Sequence, residues 1–270
     1  MPAAASLKGT PLATLQDPLA NKVDAFGVSV AISGDTVVIG ANGTDGSRGT
    51  AYVYRKTAAG WPATPTRTLT DPASDPPGDN FGKSVAISGS TIVVGAPNGY
   101  STAPHTIGDA YVYTMGTPGW FTTPAATLNE PGSTSFGYWT AVSGGTMVIG
   151  ANPGNGTGIG NAYIYTEGTS GWPTSPTATL NDPQPTTSNG FGMSVSVAGS
   201  DVFVGAPWSF GRDYAYAMGT AGWPETPTAV LHHPAGTPGF GYSTDTDGTF
   251  VMVGEPNGGS APGAVFIYRA

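Results

Sequence analysis

The sequence predicts an all-β protein, a five-bladed β-propeller of four-stranded blades that spans residues 1–270 as a single domain. Three observations lead to this prediction. A Phe-Gly pair recurs five times, and a Gly-Ala pair or a variant follows each copy at a fixed spacing. Short runs rich in Val, Ile, Tyr and Thr lie between Gly, Pro, Asn, Asp and Ser, as strands lie between turns. A unit copied in tandem stacks against its own copies, and propeller blades are one such architecture.

The first repeat shows the expected strands in order, at residues 12–15, 26–32, 37–41 and 51–54. Each run has four to seven residues and none shows a helical period. After Phe-Gly, small residues alternate with Val and Ile, which favours the crowded innermost strand of a blade. The glycines of Phe-Gly and Gly-Ala are expected where another backbone approaches too closely for a side chain, or where the backbone needs unusual dihedral angles.

The number of repeats predicts how the ring closes. The repeats begin near Phe26, Phe81, Phe136, Phe191 and Phe240. The chain starts with a Leu-type strand and ends with a Tyr-x-Tyr-type strand. We therefore predict that residues 12–15 pair with residues 264–268, so that the N-terminal strand completes the fifth blade and removes two exposed edges.

The repeat resembles a known family. Residues 81–97 read Phe-Gly-Lys-Ser-Val-Ala-Ile-Ser-Gly-Ser-Thr-Ile-Val-Val-Gly-Ala-Pro, and a Gly-Asp-Ala-Tyr-Val-Tyr run follows. This pattern is similar to the FG-GAP repeat, the blade type of the integrin α-chain propeller and of many secreted bacterial proteins, and the resemblance covers nearly the whole chain. It implies extracellular recognition of proteins or carbohydrates, in some members with calcium in the blade loops. Five blades are fewer than the seven of the integrin propeller, so that ligand geometry is not carried over.

The amino-acid composition argues against several classes of function. Only 10% of the residues are charged, against about 25% in typical domains. The net charge is −8 and the nine Lys and Arg residues form no stripe, which argues against nucleic acid as a partner. No apolar stretch is long enough for membrane insertion, and cysteine chemistry is absent because there is no Cys. We expect a secreted, extracellular monomer whose signal peptide is removed or lies outside this sequence.

Residues suited to catalysis are few. The chain has three histidines, His105, His232 and His233, and no catalytic motif of the hydrolase or metalloprotease type. An acid precedes Pro in four repeats, and its repetition favours a turn in which the carboxylate caps the backbone; these acids are Asp17, Asp71, Glu130 and Asp182. We therefore expect no enzymatic activity and no obligatory cofactor.

Calcium is the one cofactor for which the loops offer candidate ligands. Asn42 and Asp45 follow the first Gly-Ala, but most such loops hold few carboxylates, and calcium prefers clustered oxygens. Asp245-Thr246-Asp247-Gly248 resembles the start of a calcium loop, yet its place in the repeat predicts a strand and hairpin turn.

Aromatic residues that depart from the repeat are the main ligand-binding candidates. The connections before Phe-Gly and after Gly-Ala should emerge on one rim, where aromatic rings beside short polar side chains suit sugar rings. The candidates are Tyr100, His105, Tyr138, Trp139, Trp208, Phe210, Arg212 and Tyr242. The repeated Gly-Trp on the opposite rim is either a structural clamp or an alternative multivalent site, formed by Trp61, Trp120, Trp172 and Trp223.

These observations favour a non-enzymatic recognition module, lectin-like and carbohydrate-binding, that acts through the loops of one rim. Two alternatives stay open at this point. One is a protein-binding adhesion module that captures a cell-surface protein. The other is a polysaccharide-active enzyme built on a propeller scaffold, which would need a cluster of catalytic side chains in one cleft.

Overall fold

The computed structural model describes residues 10–20, 23–72, 78–97, 107–117, 119–130, 133, 135–152, 160–185, 189–234, 238–258 and 261–270. Within them the chain is almost entirely β. It forms five separate antiparallel sheets, of which four have four strands and the last has three. One helix of four residues, α1 (Thr44–Ser47), lies in the first repeat. No helix in the described ranges has the length and apolar character needed to cross a membrane.

The strands follow one another along the chain without crossovers. The first two sheets comprise β1 (Ser29–Ser33), β2 (Thr36–Ala41), β3 (Thr50–Arg55), β4 (Arg67–Thr70), β5 (Ser84–Ser88), β6 (Thr91–Ala96), β7 (Asp109–Thr114) and β8 (Ala126–Leu128). The third and fourth comprise β9 (Phe136–Ser143), β10 (Thr146–Ala151), β11 (Asn161–Thr166), β12 (Ala178–Asn181), β13 (Ser194–Ala198), β14 (Asp201–Ala206), β15 (Arg212–Ala217) and β16 (Ala229–His232). The fifth comprises β17 (Ser243–Thr246), β18 (Phe250–Gly258) and β19 (Ala261–Arg269).

These sheets form a propeller-like arrangement, and we number them blades 1 to 5 in chain order. The innermost strands β1, β5, β9, β13 and β17 contact one another in that sequence. A tight turn joins each innermost strand to the next one, as at Ser33, which pairs with Thr36. Gly34 between them has a φ of +56°, a backbone conformation that glycine adopts without strain.

The hydrophobic core lies between the blades. Val38 and Val53 of blade 1 belong to one buried cluster with Ile92, Val94 and Tyr111 of blade 2. Similar clusters join blades 2 and 3, blades 3 and 4, and blades 4 and 5. A sheet in this arrangement has both faces covered, which explains why the middle strands are apolar throughout rather than alternating.

The glycine of Gly-Ala allows neighbouring blades to approach closely. A Cβ atom placed on Gly95 would overlap the backbone carbonyl oxygen of Gly137 in the next blade. The same overlap arises at the other junctions, between Gly40 and Gly82, Gly150 and Gly192, and Gly205 and Gly241. The prediction of a close backbone approach at these glycines is therefore confirmed.

The predicted closing strand is not formed. Residues 12–15 lie in no strand, and β19 pairs only with β18 among the described residues. Instead Leu15 packs near Ile39 and Tyr52 of blade 1. The pairing of residues 12–15 with 264–268 requires blade 5 to reach blade 1. No comparable contact joins β17 back to β1 in the described part of the chain, so the five blades form an open arc there.

Candidate functional site

Three of the predicted ligand-binding residues line one small pocket on blade 4. Trp208, Phe210 and Arg212 lie around a hollow of about 80 Å³, together with Gln184 and Asn189. We call this hollow the rim pocket. Phe210 is 66% exposed, so one face of its ring is open to a ligand.

The backbone around the rim pocket explains how its aromatic rings are held. β14 ends at Ala206, and the short loop that follows donates a hydrogen bond from the Trp208 amide to the Asn189 carbonyl oxygen, at 2.7 Å. A Cβ atom on Gly190 would lie only 3.1 Å from the Trp208 ring, so glycine there lets the indole lie flat against the backbone. Ser209 then turns the loop back with a φ of +64°.

A polar network fixes the floor of the rim pocket. The Asn189 side-chain amide donates to Asp182 Oδ1 at 2.9 Å, and the Gln184 backbone amide donates to the same oxygen at 2.8 Å. Asn189 Oδ1 in turn accepts a hydrogen bond from the Phe191 amide at 3.0 Å. The amide nitrogen and the amide oxygen of Asn189 both form hydrogen bonds, so the side chain is held in one orientation and presents a fixed surface to a ligand.

Arg212 supplies the positive charge of the rim pocket. It forms no ion pair with the described residues and lies beside Tyr214. Burial raises the pKa of the Tyr214 hydroxyl, and the positive charge of the nearby Arg212 guanidinium opposes that rise. Tyr214 therefore stays a neutral hydroxyl at ordinary pH, and the guanidinium remains charged beside the exposed Phe210 ring.

Three further predicted residues meet at the centre of the arc. Tyr138, Trp139 and Tyr242 line a central cavity of about 950 Å³ between the innermost strands. Lys83 joins them, with its ammonium group 5.5 Å from the centre of the Tyr138 ring, within range of a cation–π interaction. We call these four residues the channel cluster.

Trp139 stands at a position that holds serine in other blades. It lies opposite Gly150 in the pairing of β9 with β10, as Ser84 lies opposite Gly95 in blade 2. The register of β9 shifts only beyond this point, where Phe136 lies opposite Ala151. Trp139 is 38% exposed and lines the central cavity, so the replacement of serine by tryptophan puts an aromatic ring there.

One short loop links the rim pocket to Tyr242 of the channel cluster. The Gly239 amide donates to the Pro207 carbonyl oxygen at 2.6 Å, next to Trp208. The Tyr242 amide donates to the Gly239 carbonyl oxygen at 3.1 Å. The other two candidates, Tyr100 and His105, lie outside the described residues.

The repeated Gly-Trp residues pack between blades. Trp120 belongs to the core between blades 1 and 2, and Trp172 to the core between blades 2 and 3. The Trp172 indole nitrogen donates to Thr91 Oγ1 of the preceding blade, at 3.4 Å. Trp61 and Trp223 are partly buried against the same kind of cluster. This burial supports the interpretation of the Gly-Trp repeat as a clamp.

Two of the four acids that precede proline cap turns, as predicted, whereas the Glu130 carboxylate accepts a hydrogen bond from the Tyr165 hydroxyl. Asp17 Oδ1 accepts a hydrogen bond from the amide of Leu19, and Asp182 Oδ1 accepts one from the amide of Gln184. In each case the donor lies two residues after the acid, the geometry of an Asx turn.

The calcium candidates and the remaining histidines do not meet in a cluster. Asn42 donates to Asn80 Oδ1 at 3.3 Å, and Asp45 lies 4.0 Å from Arg48. The His233 ring packs edge-on against Phe266. Among the described residues no three His, Cys, Asp or Glu side chains lie together as a metal site would require.

The carboxylate of Asp247 caps a hairpin turn. It accepts hydrogen bonds from the amides of Thr249 and Phe250, which hold its pKa below the usual range. The turn that the repeat pattern predicted at residues 245–248 is therefore present.

The sequence did not single out Gln184, Asn189 or Lys83. Gln184 and Asn189 sit in a loop of ordinary polar composition, and only folding brings that loop against Trp208. Lys83 did carry a signal, because the residue after Phe-Gly is uncharged in the other four repeats.

Two segments of the chain match a family model described as FG-GAP repeat, at residues 13–54 and 71–113. These two segments are FG-GAP repeats, and they cover nearly all of the first three strands of blades 1 and 2. The same spacing from Phe-Gly to Gly-Ala continues in the third and fourth repeats, and to Gly254-Glu255 in the fifth. A search among curated proteins found no match.

Solved structures with a similar fold include two proteins of the genus Bacteroides. One from Bacteroides uniformis and one from Bacteroides fragilis are each named as a putative 6-phosphogluconolactonase. Their TM-scores are 0.58 and 0.59, both at 9% sequence identity, and the alignments cover 90% of this chain and 67% of theirs. At this identity the likeness establishes the fold alone.

Proposed function

We propose that this FG-GAP repeat protein is a non-enzymatic, extracellular module that binds carbohydrate on the rim formed by the rim pocket and the channel cluster. The observation that carries the proposal is the rim pocket itself. An exposed phenyl ring, an indole, a guanidinium and two amide side chains converge there on one hollow.

The chemistry of the rim pocket fits a sugar ring. The apolar C–H face of a pyranose stacks on an aromatic plate, and its hydroxyls take hydrogen bonds from amides and guanidinium groups at the edge. Phe210 offers the plate, and Arg212 with the side chain of Gln184 offers the polar edge. The channel cluster offers a second aromatic surface on the same rim, so an extended saccharide or several chains can gain affinity by binding both.

The absence of enzymatic activity and the extracellular location are parts of the same proposal. His232, at the end of β16, pairs with Arg212 of β15, but neither His232 nor His233 lines the rim pocket. A surface with few charges and many Thr, Ser, Asn and Gly residues suits the outside of the cell. The names of the two Bacteroides proteins point to one specific reaction, the hydrolysis of 6-phosphogluconolactone. The proposal can be tested against that reaction.

A glycan array tests the proposal. We expect the protein to retain a defined set of saccharides, and Phe210→Ala to lose most of that retention without loss of folding. Phe121→Ala is the matched control, because Phe121 is also exposed but follows the Gly-Trp of blade 2 and lines no part of the rim pocket. Equal retention by wild type and Phe210→Ala, or a silent array together with capture of a cell-surface protein, would contradict the proposal. Hydrolysis of 6-phosphogluconolactone or release of polysaccharide fragments would contradict its non-enzymatic part.

A further inference from the structure

Arg212 places a positive charge where the other blades have none. In each blade one residue of the third strand pairs with the alanine of Gly-Ala or with its variant, and in blade 4 Arg212 pairs with Ala206. The residues at this position in the other four blades are Thr50, Asp109, Asn161 and Ala264. The one blade with a cation here is thus the blade whose loop carries Trp208 and Phe210.

The neighbours of Arg212 leave its charge uncompensated. The half-buried guanidinium forms no ion pair within the described part of the chain. Asp213 is next in sequence, but side chains alternate along a strand, and this carboxyl is fully buried between blades 4 and 5. His232 lies directly across the strand pair and brings no negative charge. Blade 2 differs, because Asp109 there accepts a hydrogen bond from Asn129.

Asp182 supports the floor of the rim pocket but does not line it. Its Oδ1 atom accepts hydrogen bonds from the Asn189 side chain and the Gln184 backbone amide, and the residue is 5% exposed. The surface that a ligand meets is formed instead by the Arg212 guanidinium, the aromatic rings and the side chain of Gln184, which is exposed. The chemistry offered to a ligand is therefore that of hydrogen-bond donors beside one positive charge.

The hollow of the rim pocket is too small for a whole sugar ring. Its volume is about 80 Å³, whereas a water molecule takes about 30 Å³ in the liquid. It therefore holds a group of about three non-hydrogen atoms, which is the size of a carboxylate. A ring that carries such a group then lies outside the hollow, against the exposed face of Phe210.

We propose that the rim pocket binds the carboxylate of an acidic sugar, a uronic acid, and that Arg212 determines this specificity. The inference rests on the proposed function, because it takes the rim pocket to be the carbohydrate site. A guanidinium is a planar fork whose N–H groups match the two oxygens of a carboxylate. Gln184 donates to one of the same oxygens, and the sugar ring stacks on Phe210. A sulfate ester is larger and tetrahedral, so it fits the hollow less well.

Matched pairs of acidic and neutral sugars test this inference. The probes are oligosaccharides of glucuronate against glucose, galacturonate against galactose, and mannuronate against mannose, immobilised through the same linker. We expect the acid of at least one pair to bind about tenfold or more tightly than its neutral partner, because its hydrogen bonds are charge-assisted. A rise in salt from about 0.05 M to about 0.5 M should weaken binding of the acid several-fold and leave the neutral partner unchanged.

Variants of Arg212 test its role in this preference. Arg212→Gln removes the charge, and we expect it to abolish the preference for the acid. Arg212→Lys keeps the charge but loses the planar fork, so it should keep only part of the preference. Arg55→Gln is the matched control and should keep all of it. Arg55 is exposed at the other end of β3 from Thr50, the counterpart of Arg212.

The results separate this inference from the proposed function. Equal binding within every pair would overturn the inference while carbohydrate binding stands, and so would tighter binding of galactose 6-sulfate than of every uronate. A preference that survives in Arg212→Gln would overturn it as well. If Arg212→Gln does not fold, Arg212→Lys decides, and an undiminished preference there overturns the inference. A protein that binds no sugar, acidic or neutral, would overturn both the inference and the proposed function.

Discussion

The hydroxyl of Ser84 in blade 2 donates a hydrogen bond of 2.9 Å to the backbone carbonyl of Gly137 in blade 3. The same bond joins Ser29 to Gly82 and Ser194 to Gly241. The serine two residues after Phe-Gly thus links consecutive blades by a hydrogen bond. Blade 3 gives up this link, because Trp139 stands at the serine position and faces the central cavity instead.

Removal of one such link should weaken the whole arc. We expect Ser84→Ala to lower the free energy of unfolding by about 1–2 kcal/mol, because the buried Gly137 carbonyl loses its partner. Urea denaturation measures the change. Ser90→Ala, in an exposed turn of the same blade, is the control and should change stability by less than about 0.5 kcal/mol. Equal effects at the two positions would show that the inter-blade bond contributes nothing.

The Gly-Ala glycine should tolerate a methyl group only where no blade follows. In Gly95→Ala the new Cβ meets the backbone of Gly137, so we expect a loss of several kcal/mol or failure to fold. Gly254 holds the same position in blade 5, where the nearest atom to a new Cβ is the mobile hydroxyl of Ser243. Gly254→Ala should therefore fold with near-parental Tm. A Gly254→Ala variant as unstable as Gly95→Ala would show that another backbone covers blade 5.

Asp213 makes stability depend on pH. Burial between blades 4 and 5 raises the pKa of its carboxyl to about 7, and the nearby Thr244 hydroxyl opposes that rise. The pKa of Asp213 in the folded protein lies above its value of about 3.9 in the unfolded chain. The contribution of the neutral carboxyl group to folding stability is therefore complete below a pH of about 3.9, and it is lost as the pH rises through about 7.

Replacement of the acid should remove that dependence. We expect Asp213→Asn to be more stable than the parent at pH 8 by up to about 4 kcal/mol, with little difference at pH 4. Urea denaturation at both pH values measures it. A difference of the same size at both pH values would mean that packing rather than ionisation governs this site. Blades 1, 2 and 3 avoid the problem with alanine, at Ala51, Ala110 and Ala162.

The two interpretations of the Gly-Trp repeat predict opposite results for Trp172→Ala. If Trp172 is a clamp, we expect Trp172→Ala to lower the free energy of unfolding by about 3–5 kcal/mol, because the buried indole fills the space between blades 2 and 3. Saccharide retention by the folded fraction should stay unchanged. Lost retention with unchanged stability would instead assign the ligand site to this rim.

The sequence predicted the strands and their order well because each repeat carries the same local signals. Val and Ile alternate with small residues on β5 and β13 as on β1, and the Ser-Gly turns fall where the hairpins are. The pairing of residues 12–15 with 264–268 was predicted from the same pattern, and it is not present among the described residues. The spacing of the repeats determines which blades are neighbours. The number of blades that complete a ring depends instead on the angle between neighbouring blades. That angle is set by contacts such as the one between Gly95 and Gly137.

The site was predicted in part for a similar reason. Trp208 and Phe210 depart from the repeat and so were visible in the sequence. Asn189 and Gln184 keep the polar character of any loop, and their role depends on a hydrogen bond to Asp182 that only the folded chain makes. A residue that departs from the repeat can be recognised in the sequence as a candidate on the rim. The residues that contact it lie in a neighbouring turn, and nothing in the sequence marks them.

The crystal structure of a complex with the saccharide that the array retains best is the most direct test of the central claim. We predict a sugar ring stacked on Phe210, with hydroxyls within hydrogen-bonding distance of Arg212 or Gln184. A saccharide bound among the Gly-Trp residues of the opposite rim, with the rim pocket empty, would contradict the account.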